Sequence, residues 1–397
     1  GAPVGGSFAD SIGRKKTLAL TYLLLFIASL MLAFATSFFQ LLVGRVVLGL
    51  GIGGGMSVVS TYMTEVSPKA HRGCYVGLED LFLVFGISVG YATNYLLAGI
   101  PHDWRWMLGI GAIGPMLAMG FLCMPQLPES PRWEMLQGRR DEALRLLAEL
   151  VDVDEARCML QEWENEPSAC TWWDILNPRG AWRRRALTAS IGVFFVANLA
   201  GVPVVNVYMG QILADDAGPR QGFFLSAVVA WIRLLFIGYT VFFLVDSVGR
   251  RRLTLASCGG TAVALGCLAW AYHAKAAVLP WKLGALLFYY MAFSIGLAPI
   301  PFIYGPEALP TEMRGKGVSL GMFSARMLSA CFSWAFPPAI DAYGVHVVFG
   351  CMAIINLGGL LFIWCFMLET VGISLEEIQC LFANGDSKVD SRHKHNV

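Results

Sequence analysis

The chain has 397 residues, 56% of them hydrophobic and 14% charged, with a net charge of +1 and a mean hydropathy of +0.59. Soluble domains carry about 25% charged residues, so an ordinary water-soluble fold is excluded. The near-neutral balance lacks the basic excess that nucleic-acid binding draws on.

Taken in chain order, the opening "GAPVGGSFAD" has no initiator Met and reads as the last turns of a helix already under way. No signal segment precedes it, so the chain is expected to start inside a span. From Lys16 to Arg45 run 28 uncharged residues. Uncharged stretches of 19 to 29 residues follow from Arg45 to Glu65, Asp80 to Asp103, Arg105 to Glu129, Arg185 to Asp215, Arg252 to Lys275, Lys282 to Glu307 and Asp341 to Glu369. Two more spans hold one arginine each, Arg233 and Arg326. A helix crosses a bilayer in about 20 apolar residues, which predicts ten full spans and an integral membrane protein.

Basic residues set the orientation. Of the 29 Lys and Arg, 22 fall in alternate loops that begin with "GRKK", against four in the opposite loops, with Arg45, Arg233 and Arg326 inside spans. The "GRKK" side is therefore cytoplasmic. Between the sixth and seventh spans, a charged segment from about 125 to 185 contains "GRRDEALRLLAEL". Its Leu144, Leu147 and Val151 stand at helical spacing and predict a short amphipathic helix. In the tail from 371, "SLEEIQ" is placed to start one more.

Three strings recur. "ADSIGRKK" (9–16) returns as "VDSVGRRR" (245–252), matching Asp10 to Asp246, Gly13 to Gly249 and Arg14 to Arg250, with Arg251 beside it. "EVSPKAHRG" (65–73) returns as "EALPTEMRG" (307–315), and "LPES" (127–130) is echoed by "MLET" (367–370). The same order and similar offsets predict two homologous bundles in parallel orientation. "GLGIGGG" (49–55) contains a G-x-G-x-x-G pattern, but inside a span, where small residues let helices approach closely. No phosphate-binding lysine follows and no catalytic constellation is in place, so an enzyme is not expected. The ten cysteines show neither metal spacing nor a CxxC pair, and "HKH" near the end reads as solvated tail. The chain predicts free thiols, no metal and no cofactor.

These motifs, with "GRVVLGLGIGGG" in the fourth span, "PESPRW" after the sixth, "PTEMRGKG" after the tenth and "LETVGISLEEI" at the end, resemble the major facilitator superfamily and its sugar-porter group over essentially the whole chain. The resemblance implies twelve spans, of which about one and a half would be missing here. It also implies a cytoplasmic gate built from Asp10, Gly13, Arg14, Glu65, Arg72, Glu129, Arg132 and their counterparts Asp246, Gly249, Arg250, Arg251, Glu307 and Arg314. Opposite charges there are expected to tie the halves together. The alternative is that they are topology signals and helix caps. Arg45 matches the sugar porters' fourth-span arginine and joins the gate set.

The binding positions depart from the sugar-porter pattern. Asp80 stands where those proteins have a sugar-binding glutamine, and is a candidate to accept sugar hydroxyls, to take a proton or to hold a cation. Glu79 is a second candidate for the proton, and the alternative is that one of the two pairs with Arg45, Arg72 or Arg326. The seventh span reads "ANLAGVPVVNVY", leaving Asn198, Asn206 and Tyr208 as hydrogen-bonding candidates. In the tenth, "GLAPIPFIYGPE" keeps two prolines and offers Phe302 and Tyr304. Arg326, in "SARMLS", resembles the arginine-bearing segment of organic-ion, synaptic-vesicle-protein-like and nicotinate-type carriers, and favours a carboxylate or pairs with an acid. The reading is an all-α major facilitator fold: an N-terminal bundle (1–124), a cytoplasmic linker (125–185), a C-terminal bundle (186–370) and a tail (371–397). Its function is transport of a sugar or polyol by alternating access, as uniporter or proton symporter. The alternatives are a small organic ion as substrate, or a non-transporting sensor. Expected partners are a small-molecule substrate, protons and the lipid bilayer, with no nucleic acid, and the plasma membrane is the expected location.

Overall fold

Helices in this chain start and stop at glycines, prolines and small polar caps. The computed structural model describes residues 1–67, 72–124, 128–149, 156–157, 160, 171–274, 279–373, 377–378 and 381–382. The N-terminal half is α1 (Ala2–Ile12), α2 (Arg14–Ala33), α3 (Phe38–Val66), α4 (Arg72–Leu97) and the broken pair α5 (Asp103–Ile110) and α6 (Ile113–Leu122). Short helices α7 (Pro131–Leu136), α8 (Arg140–Ala148) and α9 (Trp172–Leu176) follow between the two halves. The C-terminal half begins with α10 (Ala181–Leu199), α11 (Val202–Ala217) and α12 (Pro219–Tyr239). A π-helical turn (Thr240–Leu244) leads from there into α13 (Val245–Val248). Then come α14 (Arg250–His273), α15 (Leu279–Ile295), α16 (Ile300–Glu307), α17 (Thr311–Tyr343) and α18 (Val345–Phe366).

Among the described residues, nine segments are long and apolar enough to cross a bilayer. The tenth predicted span is α17, a continuous helix of 33 residues whose Arg326 and serines lower its apolarity. In the predicted amphipathic helix, now α8, Ala143 and Leu147 are buried. Val151 and the start of "SLEEIQ" lie outside the described residues.

Two devices recur in both halves. Gly13 and Gly249 break their spans with φ of 102° and 101°, a region that side chains other than glycine's rarely enter. Close packing is the second. A Cβ on Gly5 would stand 2.5 Å from Gly54 Cα, so "GLGIGGG" is where α3 meets α1.

The seventh and tenth spans are discontinuous. α10 gives way to α11 at Gly201 (φ 88°) and Pro203, and α15 gives way to α16 around Pro299 and Pro301. A break at membrane depth frees backbone groups that must find partners inside the protein. The Tyr289 hydroxyl provides one, donating to the Ala200 carbonyl at 2.7 Å. The halves meet where α17 packs on α1 and α3, and where α12 and α16 pack on α4.

Candidate functional site

At the helix ends that carry the repeated strings each half builds the same cluster. Arg14 donates through Nε and Nη2 to the two Glu65 oxygens, each at 3.1 Å, and through Nη1 to the Ala9 carbonyl at 2.9 Å. Glu129 accepts from the backbone N–H groups of Arg14 (2.9 Å) and Lys15 (3.1 Å). A carboxylate there satisfies orphan amides at the positive end of α2. Ser130 completes the cluster, its hydroxyl donating to Glu65 at 2.6 Å.

In the other half Arg250 donates to Glu307 and to the Val245 carbonyl, both at 3.2 Å. Glu369 accepts from the backbone of Arg250 (2.8 Å) and Arg251 (3.1 Å), and Thr370 donates to Glu307 at 2.8 Å. The Glu-Ser of "LPES" and the Glu-Thr of "MLET" are one device used twice.

These pairs lie within each half, which corrects the expectation that they tie the halves together. Arg14 and Arg250 are buried and spend their donors on acceptors of their own half. The aspartates make the crossing. Asp246 accepts from the backbone N–H of Cys74 at 2.9 Å, at the first turn of α4. Asp10 pairs with Lys316 of α17 at 3.0 Å. Each aspartate also abuts the glycine of the opposite half's R-G: Asp246 presses on the Gly73 position, and a Cβ on Gly315 would stand 3.1 Å from Asp10. Deeper in, the Ser57 and Ser319 hydroxyls share a buried hydrogen bond of 2.6 Å between α3 and α17.

The remaining gate candidates divide. Arg132 is buried, and Arg314, fully buried, donates to the Pro306 (2.9 Å) and Leu309 (3.3 Å) carbonyls. Arg251 donates to the Trp364 carbonyl at 2.6 Å and stands 5.6 Å over the Trp364 ring. Arg72 begins α4, and its side chain lies outside the described residues. Arg45 is not at this gate. It is exposed, and 20 residues of helix at about 1.5 Å each separate it from Glu65 by roughly 30 Å.

Between the halves lies a cavity of about 1060 Å³, at the top of the ~300–1,000 Å³ range of small-molecule sites. Six of the predicted residues line it: Glu79, Asp80, Asn198, Asn206, Phe302 and Arg326. Asn198 donates to the Phe194 carbonyl at 2.9 Å and accepts from Ser329 at 2.6 Å, which fixes its amide. Asn206 accepts from Tyr290 at 2.7 Å, and the Tyr91 hydroxyl donates to its carbonyl at 2.6 Å. That leaves the Asn206 Nδ2 as a donor toward the cavity. Phe302 meets Phe194 edge-on at 6.0 Å.

Tyr208 and Tyr304 do not reach the cavity wall, contrary to expectation. Tyr208 packs on Phe336, ring centroids 4.9 Å apart, and donates to the Ser333 carbonyl at 3.4 Å. Tyr304 is fully buried and accepts from Leu368 N at 3.2 Å. In both spans a neighbour in sequence takes the cavity face instead, Asn206 after Gly201 and Phe302 after Pro301.

The site holds one charged residue outside the predicted set. Arg233 of α12 is 4% exposed, lines the cavity, and stands 5.1 Å over Tyr290 and 5.6 Å over Phe293. The sequence signal was there: a single arginine in an otherwise apolar span is costly and usually functional. Ser60, which donates to Glu79, and Lys316 left no comparable signal.

Comparison with known proteins agrees with this geometry. Residues 1–382 match the family described as "Sugar (and other) transporter". "Putative polyol transporter 2" of Arabidopsis thaliana is 31% identical over 434 residues, covering 100% of this chain and 84% of the relative. "Major myo-inositol transporter IolT" of Bacillus subtilis is 28% identical, covering 96% and 82%. The solved proton:xylose symporter XylE bound to 6-bromo-6-deoxy-D-glucose superposes with a TM-score of 0.85 at 21% identity, covering 96% of this chain and 86% of that one. A cavity between two duplicated halves, a matched gate and a family match over nearly the full length lead to one assignment: this chain belongs to the sugar (and other) transporter family, the sugar porters of the major facilitator superfamily.

Proposed function

We propose that the protein moves a sugar or polyol across a membrane by alternating access, rocking its two halves around the central cavity. The observation that carries this reading is a large cavity between the halves, with the aspartate of each half set against the R-G glycine of the other. A solute path needs such a contact to be reversible. A few hydrogen bonds at helix ends suit that better than a continuous apolar seam.

Asn198 and Asn206 supply amide groups suited to hydroxyls, and Phe302 offers an aromatic face to the ring or carbon backbone of the solute. The polyol and myo-inositol transporters among the relatives support a polyhydroxylated substrate. Glu79 and Asp80 are the acids placed to couple a proton, with the xylose symporter as the structural parallel. A multi-pass transporter of this kind fits the plasma membrane. Substrate shifts the conformations only through its differential affinity for them, so gate and cavity must be balanced against each other.

The test is uptake of labelled xylitol, myo-inositol and xylose into proteoliposomes holding the full chain, with and without an inward proton gradient. Saturable polyol uptake supports the reading, and gradient stimulation makes it a symporter. Absence of uptake of every sugar and polyol tried overturns it.

A further inference from the structure

Four ionisable side chains meet in the cavity wall: Glu79 and Asp80 from α4, Arg233 from α12 and Arg326 from α17. A neutral polyol does not require them. Opposite charges at membrane depth usually pair directly, but these do not. Among the described residues no carboxylate stands within ion-pair distance of Arg233 or Arg326. Arg326 makes one hydrogen bond among the described residues, from Nη2 to the Met56 sulfur at 3.3 Å, a weak acceptor for a charged donor. Arg326 is exposed to the cavity while protein surrounds it on most sides.

Arg233 is buried against two aromatic rings with its Nε lacking an acceptor. Asp80 is 3% exposed, and its Oδ2 has no donor. Glu79 accepts from Ser60 through one oxygen, and the other, Oε1, is buried without a partner. Buried polar atoms are nearly always satisfied, so this set has the form of a site waiting for a ligand that bridges the gap.

The two signs are not equivalent. Guanidinium keeps its charge at any pH the protein meets, whereas a carboxylate can be neutralised by one proton. The fixed charge of the site is thus the pair of arginines, and their planar forks match a carboxylate. We infer that the substrate is a polyhydroxy acid, a sugar or polyol bearing one carboxylate, held by Arg326 and Arg233 at the carboxylate and by Asn198 and Asn206 at the hydroxyls.

This inference rests on the transport reading above and narrows its substrate. The bound anion adds a third negative charge opposite two arginines, and a proton carried on Asp80 or Glu79 restores the balance. The groups facing those acids are Tyr22 of α2, Ser60 of α3 and the two arginines, while Tyr91 of α4 and Tyr290 of α15 face Arg233, and among the described residues no other carboxylate lines the cavity.

Proteoliposomes holding the full chain test it with matched pairs: gluconate against glucitol, and galacturonate against galactose. The expected result is preference for each acid over its neutral partner, increased by an inward proton gradient. Unlabelled gluconate should also inhibit labelled xylitol uptake better than glucitol does. Arg326→Gln and Arg233→Gln should each lower the gluconate-to-glucitol uptake ratio about tenfold or more, the range expected for losing a charged hydrogen bond, with Arg326→Lys in between. Should either variant fail to fold, the wild-type competition decides alone. Xylitol uptake indifferent to every acid overturns the inference and leaves polyol transport standing. Uptake of neither acids nor polyols overturns both.

Discussion

Replacing Gly73 by alanine isolates the closed gate. A methyl group at this position would overlap Asp246 Oδ1 and lie 2.6 Å from Val245 Cγ1 and 2.8 Å from Arg250 Nη2. Those atoms are held by a short helix and a buried arginine, so the clash is relieved by separating the halves. Overpacking of this kind costs about 1–3 kcal/mol. Separation also breaks the bond from Cys74 N–H to Asp246, worth about 1.5–3 kcal/mol as a charged hydrogen bond.

Both contacts bridge the halves and hold the cytoplasmic side closed. Together they shift the closed–open balance by roughly 3 kcal/mol, a factor on the order of 100. The assay is the rate at which a membrane-impermeant maleimide, applied from the cytoplasmic face, modifies Cys74, read by mass spectrometry. Cys74 is half-buried at this contact and gains access when the gate opens. Gly315→Ala acts from across the face, where its Cβ would stand 3.1 Å from Asp10 Oδ1. A carboxylate can yield by a few tenths of an ångström, so its effect should be smaller, about tenfold or less. Wild-type labelling rates in Gly73→Ala would refute the gate argument, because the side chains of Asp246, Val245 and Arg250 would then have absorbed the methyl group with the halves still closed.

Lys316→Ala removes the ion pair with Asp10, which is partly exposed and therefore worth only about 0.5–1 kcal/mol. Cys74 labelling should rise about two- to fivefold, and Asp10→Ala in the same chain should add less than its separate effect. Asn206→Ala leaves the buried Tyr290 hydroxyl without its acceptor, a loss of about 1–3 kcal/mol. It should raise the half-saturating polyol concentration roughly tenfold, measured by uptake. Asp80→Asn cannot carry a proton, so the ratio of uptake with a gradient to uptake without one should fall toward unity. An unchanged ratio would transfer the coupling role to Glu79. Glu369→Gln removes a charge from the start of α14 at a cost of about 1 kcal/mol, seen as a lower midpoint of thermal unfolding.

Much of the architecture was legible because a membrane imposes a one-dimensional code. A span needs about 20 apolar residues and its flanks need sidedness, and both are visible without knowing any contact. The gate clusters were visible as repeated strings, since Arg14 and Arg250 find their partners through motifs that the chain spells twice. What those partners do was not visible. Opposite charges at one level suggested bonds between halves, yet Arg14 and Glu65 satisfy each other inside one half, and the crossing falls to Asp10 and Asp246. Tyr304 looked like part of a binding face, but it lies on the buried side of α16, against Leu368 N, while Phe302 takes the cavity face.

By itself the sequence determined what the bilayer selects for: a series of apolar spans, a duplicated plan and the charges left inside them. Tertiary structure alone decided which of those charges share a wall. Arg233, Arg326, Glu79 and Asp80 come from three helices separated by up to 247 positions in the chain, and each span tolerates its charge without reference to the others. Their assembly depends on how α4, α12 and α17 are rotated and packed against one another. Packing is a property of the whole bundle, and local spacing carries no record of it.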